Sequence, residues 1–347
     1  MSKTRFLLIQ MVTAGALAGS VLAEEPAAPP PPAPVPAAPE AAAAPAPAAT
    51  AVASANTAPA ATPAPPPPPY SLPWQLRPVA AVNVVRSDTA VAFYDNGMGA
   101  KGNTTATMLL GSYKVTPSLA PMLRLGFTQN DAPAAGADGT SFINPVVGAT
   151  YARKVDAIRW AAFLGATVPI GMGGGDTPAA GAATANSAGI RARSAMDNAM
   201  FAVNYFTVIA GGDFAYVDHK LTVQLEATLF QLARVRGSNA ASSTDSARTN
   251  STVGLHAGYF IIPMLSLGGE FRYQRWLSTP TTLTMGNKVN FTDAAMDTVT
   301  VAIGPRAHFQ VAKGMFLRPG ISYARALDKP VSDASYNVVQ VDIPLYF

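Results

Sequence analysis

Apolar and polar residues alternate along the C-terminal stretch of the chain, which ends at Phe347. Asp342 and Gln340 occupy one set of alternate positions, and the other set is apolar: Val339, Val341, Ile343 and Leu345. A period of two is the geometry of a β-strand. An apolar face opposite a charged face suits a strand that separates lipid from a wet interior, as in a transmembrane barrel.

The same alternation recurs from Tyr70 onward in segments of about ten residues. In the segment that begins at Leu221, for example, Leu225 and Leu229 share one face, while Gln224 and Glu226 share the other. The pattern predicts twelve strands, at approximately 75–85, 104–114, 120–129, 142–153, 157–168, 204–217, 220–234, 250–262, 264–276, 296–311, 315–326 and 335–347.

The predicted connections alternate between short and long. The short ones fall at 116–119, 155–156, 218–219, 262–263 and 312–314, and the long ones at 86–103, 130–141, 169–203, 235–249, 277–295 and 327–334. Tight turns at one rim and long loops at the other are typical of transmembrane barrels, in which the short turns face the periplasm. The longest loop, 169–203, has helical spacing near its end, so it either folds inward as a constriction or remains a surface loop.

The N-terminal region has a different composition from the predicted barrel at 71–347. Residues 1–23 combine a basic start, an apolar run and small residues before Glu24, which predicts a cleaved signal peptide. Residues 24–70 hold 17 of the 31 prolines and are mostly Ala and Pro, so we expect a disordered, extended linker. No apolar run reaches the ~20 residues that a membrane-spanning helix needs.

Composition removes several classes of function. The chain has no cysteine, which excludes disulfides, thiolate metal sites and a cysteine nucleophile. Its basic residues are scattered singly, so nucleic acid is not an expected partner. The three histidines have no spacing typical of a zinc site, and we therefore expect no metal, no cofactor and no enzymatic activity.

The C-terminal Phe347, closing an amphipathic last strand, resembles the outer-membrane β-barrel proteins of Gram-negative bacteria, the porin-like superfamily. This resemblance implies an antiparallel up-and-down β-barrel of about twelve strands that is located in the outer membrane and surrounded by its lipid. It also implies that Phe347 is an assembly signal read by the barrel-assembly machinery. The resemblance names no subfamily.

Aromatic residues gather near the predicted rims, where two girdles are expected at the level of the lipid headgroups. We place Trp74, Tyr113, Tyr216, Phe316, Tyr346 and Phe347 at the short-turn rim and Phe127, Phe230, Tyr273, Trp276 and Tyr336 at the other.

The face of each strand opposite the lipid predicts which charged residues point into the lumen. Together with Arg77, the pore-lining candidates are Arg124, Arg159, Glu226, Glu270, Arg272, Arg306, His308, Arg318 and Asp342. Arginine outnumbers the carboxylates in this set, which predicts a positive interior that favours anions. Twelve strands lie between the eight that side chains can fill and the sixteen that leave an aqueous channel, so width leaves both an open passage and a closed lumen possible.

Two functions fit these features. The first is a porin-like channel for small hydrophilic solutes, with anions favoured by the inner charges. The alternative is a structural outer-membrane anchor in an envelope-spanning complex, whose linker at 24–70 reaches periplasmic proteins or peptidoglycan. The two roles are compatible with each other.

Overall fold

The structure is a computed structural model, and it describes residues 70–95, 99–133, 138–237, 245–284, 287–290, 296–328, 332 and 335–347. The predicted signal peptide and residues 24–69 of the predicted linker lie outside these residues. The described chain forms a closed antiparallel β-barrel.

Sixteen strands and two helices make up the described structure. The strands are β1 (Val84–Asp95), β2 (Lys101–Ser112), β3 (Leu119–Asp131), β4 (Gly139–Val155), β5 (Ile158–Thr167), β6 (Tyr205–Asp218), β7 (Leu221–Arg234), β8 (Ala247–Ile262), β9 (Leu265–Trp276), β10 (Thr281–Thr284), β11 (Asn287–Asn290), β12 (Asp297–Ala307), β13 (Phe309–Ala312), β14 (Met315–Leu317), β15 (Gly320–Ala326) and β16 (Asn337–Tyr346). The helices, both between β5 and β6, are α1 (Ala180–Ala192) and α2 (Asn198–Phe201). Neither described helix is long and apolar enough to cross a bilayer.

Twelve of the strands, β1 to β9 with β12, β15 and β16, form the barrel wall in sequence order. The wall closes because β1 pairs with β2 on one side and with β16 on the other, in a register that sets Val84 opposite Tyr346. Strands β13 and β14 form a hairpin that extends one rim, and β10 and β11 form a separate hairpin within a long loop. The predicted number and order of wall strands are therefore confirmed.

The barrel has two different ends. The connections 113–118, 156–157, 219–220, 263–264 and the β13–β14 hairpin region 308–319 lie at one end, which we call the short-turn end. The connections 96–100, 132–138, 168–204, 235–246, 277–296 and 327–336 lie at the other, the long-loop end. The longest connections lie at the long-loop end, as predicted, but the first predicted long connection, 86–103, is reduced to 96–100 and is shorter than 113–118 at the short-turn end.

Side chains alternate between the two faces of the wall, as the sequence predicts. On β7, Gln224 and Glu226 are buried inside, whereas 48% of Leu225 is exposed on the outer face. Leu164 and Ile303, on other strands, are 65% and 58% exposed. An apolar exterior around a polar interior is stable where hydrocarbon surrounds the barrel, and a closed barrel leaves no unpaired strand edge in that hydrocarbon. The fold is therefore a transmembrane β-barrel of the outer-membrane type.

The prediction for the first strand is wrong. Only residues 84 and 85 of the predicted strand 75–85 belong to it; β1 runs from Val84 to Asp95, mostly within the predicted loop 86–103, and residues 70–83 lie inside the barrel. The error has a physical cause, since apolar residues that pack inside a lumen give the same pattern as apolar residues that face lipid. The charged residues Arg86 and Asp88 suggested a loop, but both point inward from β1.

Three aromatic residues assigned to the rims lie inside instead. Trp74 is 1% exposed, Phe230 4% and Tyr336 2%, and all three pack within the lumen. Tyr113 and Tyr216, by contrast, are exposed near the short turns, as predicted. The girdle at the level of the lipid headgroups is therefore smaller than the sequence suggested.

Candidate functional site

The lumen at the short-turn end is occupied by residues 70–83, which we call the plug segment. The segment starts at Tyr70 beside the short turns, where the Ser71 amide donates a hydrogen bond to Thr222 Oγ1 at 3.0 Å. It reaches the middle of the barrel at Trp74, whose amide donates to Glu270. It then returns to the short-turn end, where Val84 begins β1.

Charged side chains of the wall bind the backbone of the plug segment. The Arg77 amide donates to Glu226 Oε2 at 2.6 Å. Arg306 donates to the Leu72 and Pro73 carbonyl oxygens at 3.1 and 3.2 Å. Because the plug segment has no strand partner, its buried amide and carbonyl groups need such side-chain partners.

A second set of donors binds the turn of the plug segment in the same way. Arg86 Nη2 donates to the Pro73 carbonyl oxygen at 3.2 Å and to that of Trp74. Gln340 Nε2 also donates to the Trp74 carbonyl oxygen, at 3.2 Å. The middle of the plug segment is thus held from β1 and β16, the two strands that close the barrel.

The apolar side chains of the plug segment fit the shape of the wall. Trp74 and Leu76 are almost fully buried, and they face wall positions that have no side chain. A Cβ atom at Gly254 would lie 2.8 Å from Leu76 Cδ1, and one at Gly320 would lie 2.9 Å from Trp74 Nε1. Any larger residue at these two positions would displace the plug segment.

The connection between β5 and β6, residues 168–204, enters the lumen at the long-loop end, and we call it the helical insert. Its helix α1 packs against β2, β3 and β4 through small residues such as Ala185 and Gly189. Met200 and Phe201 of α2 join an apolar cluster with Met108 and Phe163 of the wall. The helical insert therefore folds inward, one of the two arrangements that the sequence left open.

Ion pairs join the helical insert to the wall. Arg193, whose side chain is 0% exposed, contacts Asp88 of β1 at 2.7 Å and Asp197 of the helical insert at 2.9 Å. Arg124 of β3 contacts Asp197 at 2.5 Å. Each group in this chain of contacts is at least partly removed from water, so its charge needs a partner.

The Asp342 carboxylate forms ion pairs with Arg86 at 2.6 Å and with Arg306 at 2.5 Å. Glu270 pairs with Arg272 at 2.6 Å. The ion-paired midsection of the lumen contains six arginines and six carboxylates: Arg77, Arg86, Arg124, Arg193, Arg272 and Arg306 with Asp88, Asp197, Asp213, Glu226, Glu270 and Asp342. The six arginines of this midsection are matched by six carboxylates, so the predicted surplus of arginine is left at Arg159 and Arg318, nearer the short-turn end.

Sequence reasoning missed five members of this network. Arg86 and Asp88 were placed in a loop, and shifting the alternation of β1 to 84–95 would have found them. Asp213 lies on the inner face of β6, and the parity used for the other strands would have found it. Arg193 and Asp197 belong to the predicted loop 169–203, whose helical spacing gave no sign of which wall residues they would contact.

The structure places all nine pore-lining candidates on the inner face. Six of them belong to the ion-paired midsection: Arg124, Glu226, Glu270, Arg272, Arg306 and Asp342. The other three, Arg159, His308 and Arg318, lie nearer the short-turn end. Phe347 follows β16, and its role as an assembly signal remains a prediction.

A small cavity of about 60 Å³ separates the plug segment from the helical insert. Gln75 and Arg77 line the cavity on the side of the plug segment, and Met196 and Asp197 line it on the side of the helical insert. This volume holds a few water molecules at most, since one water needs roughly 10–15 Å³ on the same measure. The plug segment and the helical insert therefore lie on either side of this cavity in the described part of the lumen.

The histidines of the lumen form no catalytic or metal arrangement in the described part of the chain. His308 Nε2 lies 2.9 Å from Ser266 Oγ, but Ser266 is buried beneath Ser71 of the plug segment. Among the described residues, no carboxylate contacts His308. No group of three potential metal ligands comes together within the described ranges.

No protein-family model and no curated protein sequence matches the chain. Among solved structures, an outer membrane channel from Pseudomonas putida F1 is similar over 79% of this chain and 98% of that one, with 14% identity and a TM-score of 0.48. The KdgM porin in complex with disordered oligogalacturonate is similar over 76% and 99%, with 9% identity and a TM-score of 0.40. The translocator domain of the autotransporter NalP from Neisseria meningitidis is similar over 78% and 90%, with 10% identity and a TM-score of 0.39. At these identities the similarity concerns the barrel fold and assigns neither a solute nor a partner.

Proposed function

We propose that the chain is an outer-membrane channel for small hydrophilic solutes, and that the plug segment closes it in the conformation described above. The observation that carries this proposal is the charged and polar contact between the wall and the plug segment. Glu226 and Glu270 accept hydrogen bonds from its amides, and Arg306 donates to its carbonyls.

An interface of this kind can separate at a low cost in free energy. Ion pairs and charged hydrogen bonds lose hydration when they are buried, and this cost offsets much of their attraction. When the plug segment leaves, water can hydrate the same carboxylates and guanidinium groups. The charged groups of the wall are therefore compatible with a lumen that holds the plug segment and with one that holds water.

The plug segment is also the part of the filling that is easiest to move. It is bound to the wall through backbone hydrogen bonds and a small apolar cluster that includes Leu72 and Val79. The helical insert is held both by the apolar cluster around Met200 and Phe201 and by the ion pairs of Arg193. Its two ends both lie at the short-turn end, so it can withdraw without threading through the barrel. We assign no enzymatic reaction, because Ser266 and His308 lie under the plug segment.

The test is conductance of the full-length protein in a planar lipid bilayer. We expect discrete steps of current that are brief, because the closed conformation is the stable one. A protein-free detergent control should give no steps. A bilayer that remains silent at high protein concentration, both for the full-length protein and for a variant without the plug sequence, would contradict the channel function.

A second function, a structural anchor, is favoured by the position of Tyr70. The described chain starts there, at the short-turn end, so the residues that precede Tyr70 connect to the barrel on the side that we assign to the periplasm. As an extended polyproline helix, residues 24–70 would reach on the order of 145 Å at ~3.1 Å per residue. We propose periplasmic proteins or peptidoglycan as the partners of this linker.

Deleting residues 24–69 tests the anchor function. We expect the shortened protein to insert into the outer membrane, because the wall and the plug segment remain intact. It should lose the periplasmic partners that co-purify with the full-length protein after cross-linking. If every partner is retained, the linker is a spacer and the anchor function is wrong.

A further inference from the structure

Two arginines at the short-turn end lie apart from the ion-paired midsection. Arg159 is on β5, and Arg318 lies between β14 and β15. Within the described residues neither has a carboxylate at ion-pair distance, whereas each of the six midsection arginines does. These two positive charges are therefore not neutralised by the protein.

The two arginines belong to opposite sides of the wall. In the closed order of strands, five strands separate β5 from β15 in either direction. The Arg159 guanidinium carbon lies 4.8 Å from the centre of the Tyr70 ring, and that of Arg318 lies 5.2 Å from the centre of the Tyr346 ring. Tyr346 packs against the apolar cluster that contains Tyr70, so both guanidinium groups line one mouth.

Both guanidinium groups also have unused hydrogen-bonding capacity. The Nε atoms of Arg159 and Arg318 are buried and have no hydrogen-bond partner among the described residues. A buried donor without an acceptor is costly, and two like charges that face each other repel. The two side chains remain half-buried, so a solute from the short-turn side can reach them.

We propose that this mouth binds a phosphate group, either free or as an ester of a small solute, between Arg159 and Arg318. A phosphate group carries roughly −1.5 to −2 charges at neutral pH, which matches the two uncompensated arginines. A planar guanidinium binds two oxygens of such a group at once. This proposal names a class of solute for the proposed channel. It rests on the channel function only for the passage of the anion through the lumen after it has bound.

Calorimetric titration of the full-length protein in detergent with inorganic phosphate tests this site. We expect one bound phosphate per chain, and at least tenfold weaker binding after either Arg159→Gln or Arg318→Gln. Arg318→Lys should retain part of the affinity, because it keeps the charge but loses the two-oxygen contact. Arg275→Gln is the matched control, since Arg275 is exposed and already pairs with Asp297.

The single Gln variants should fold, because each removes one of two charges that repel, and circular dichroism confirms the strand content. Methyl phosphate as a second probe separates the two sources: binding as tight as that of inorganic phosphate indicates an ester solute, and weaker binding indicates the free anion. Absence of binding at millimolar phosphate, or equal binding by the double Gln variant, would overturn the proposal. The titration needs no membrane, so a silent bilayer would disprove the channel function without affecting this result.

Discussion

Replacing residues 71–79 with nine Gly and Ser residues should convert a mostly closed protein into a mostly open one. The replacement removes Trp74, Leu76 and Val79, which are each about 1% exposed or less in the lumen. Burial of a side chain of this kind contributes about 1.5–3 kcal/mol. Loss of three such side chains should lower the ratio of occupied to empty lumen by at least about a thousandfold, at 1.4 kcal/mol per factor of ten.

Single-channel recording in a planar bilayer measures this change directly as the fraction of time spent conducting. The matched control carries the same Gly and Ser sequence at residues 60–68, immediately before the plug segment, and should record like the full-length protein. If the two replacements behave alike, the plug segment does not close the lumen.

The second large effect is expected at the helical insert. Arg193→Met removes a buried guanidinium that contacts both Asp88 and Asp197 and leaves those carboxylates without part of their compensation. Breaking a buried ion pair by removing one partner typically costs about 3–5 kcal/mol. We expect a loss of this size in the free energy of unfolding, with faster hydrogen exchange over 180–201.

An exposed ion pair provides the control. Arg275→Met removes a partner of Asp297, and Arg275 is 51% exposed, so the expected loss is about 0–1 kcal/mol. Adding Asp88→Asn to Arg193→Met should recover part of the lost stability, because it removes a charge that the first substitution leaves unpaired. Equal stability of the Arg193 and Arg275 variants in denaturant titrations would show that the helical insert is not held by Arg193.

Much of the wall could be predicted from sequence because each wall strand repeats one local rule. Apolar and polar residues alternate on β7 and β16, since lipid lies on one side and the lumen on the other. The lengths of most connections distinguished the short-turn end from the long-loop end. These signals depend on neighbouring residues only, and they suffice for the number of strands and for the inner face of most of them.

The filling of the lumen could not be predicted in the same way. Leu72, Trp74 and Leu76 occupy every second position, as in a lipid-facing strand, yet all three are buried inside the barrel. Arg193 reaches Asp88 across 105 positions of sequence, and no period relates the two. Whether a twelve-stranded barrel is open therefore depends on long-range contacts, and those contacts also supply carboxylates that match the arginines of the midsection, which leaves the expected surplus at Arg159 and Arg318.

The central claim is that the plug segment lies inside the barrel, and a cysteine pair tests it most directly. The chain has no cysteine of its own, and Ser71 Oγ lies 3.3 Å from Ser266 Oγ. In intact outer membranes, a variant with both Ser71→Cys and Ser266→Cys should form an intramolecular disulfide. A variant with Ser71→Cys and Ser251→Cys, in which Ser251 lies near the long-loop end, should not. If the first pair stays reduced under oxidising conditions, or if both pairs cross-link equally, the plug segment does not occupy the lumen as described.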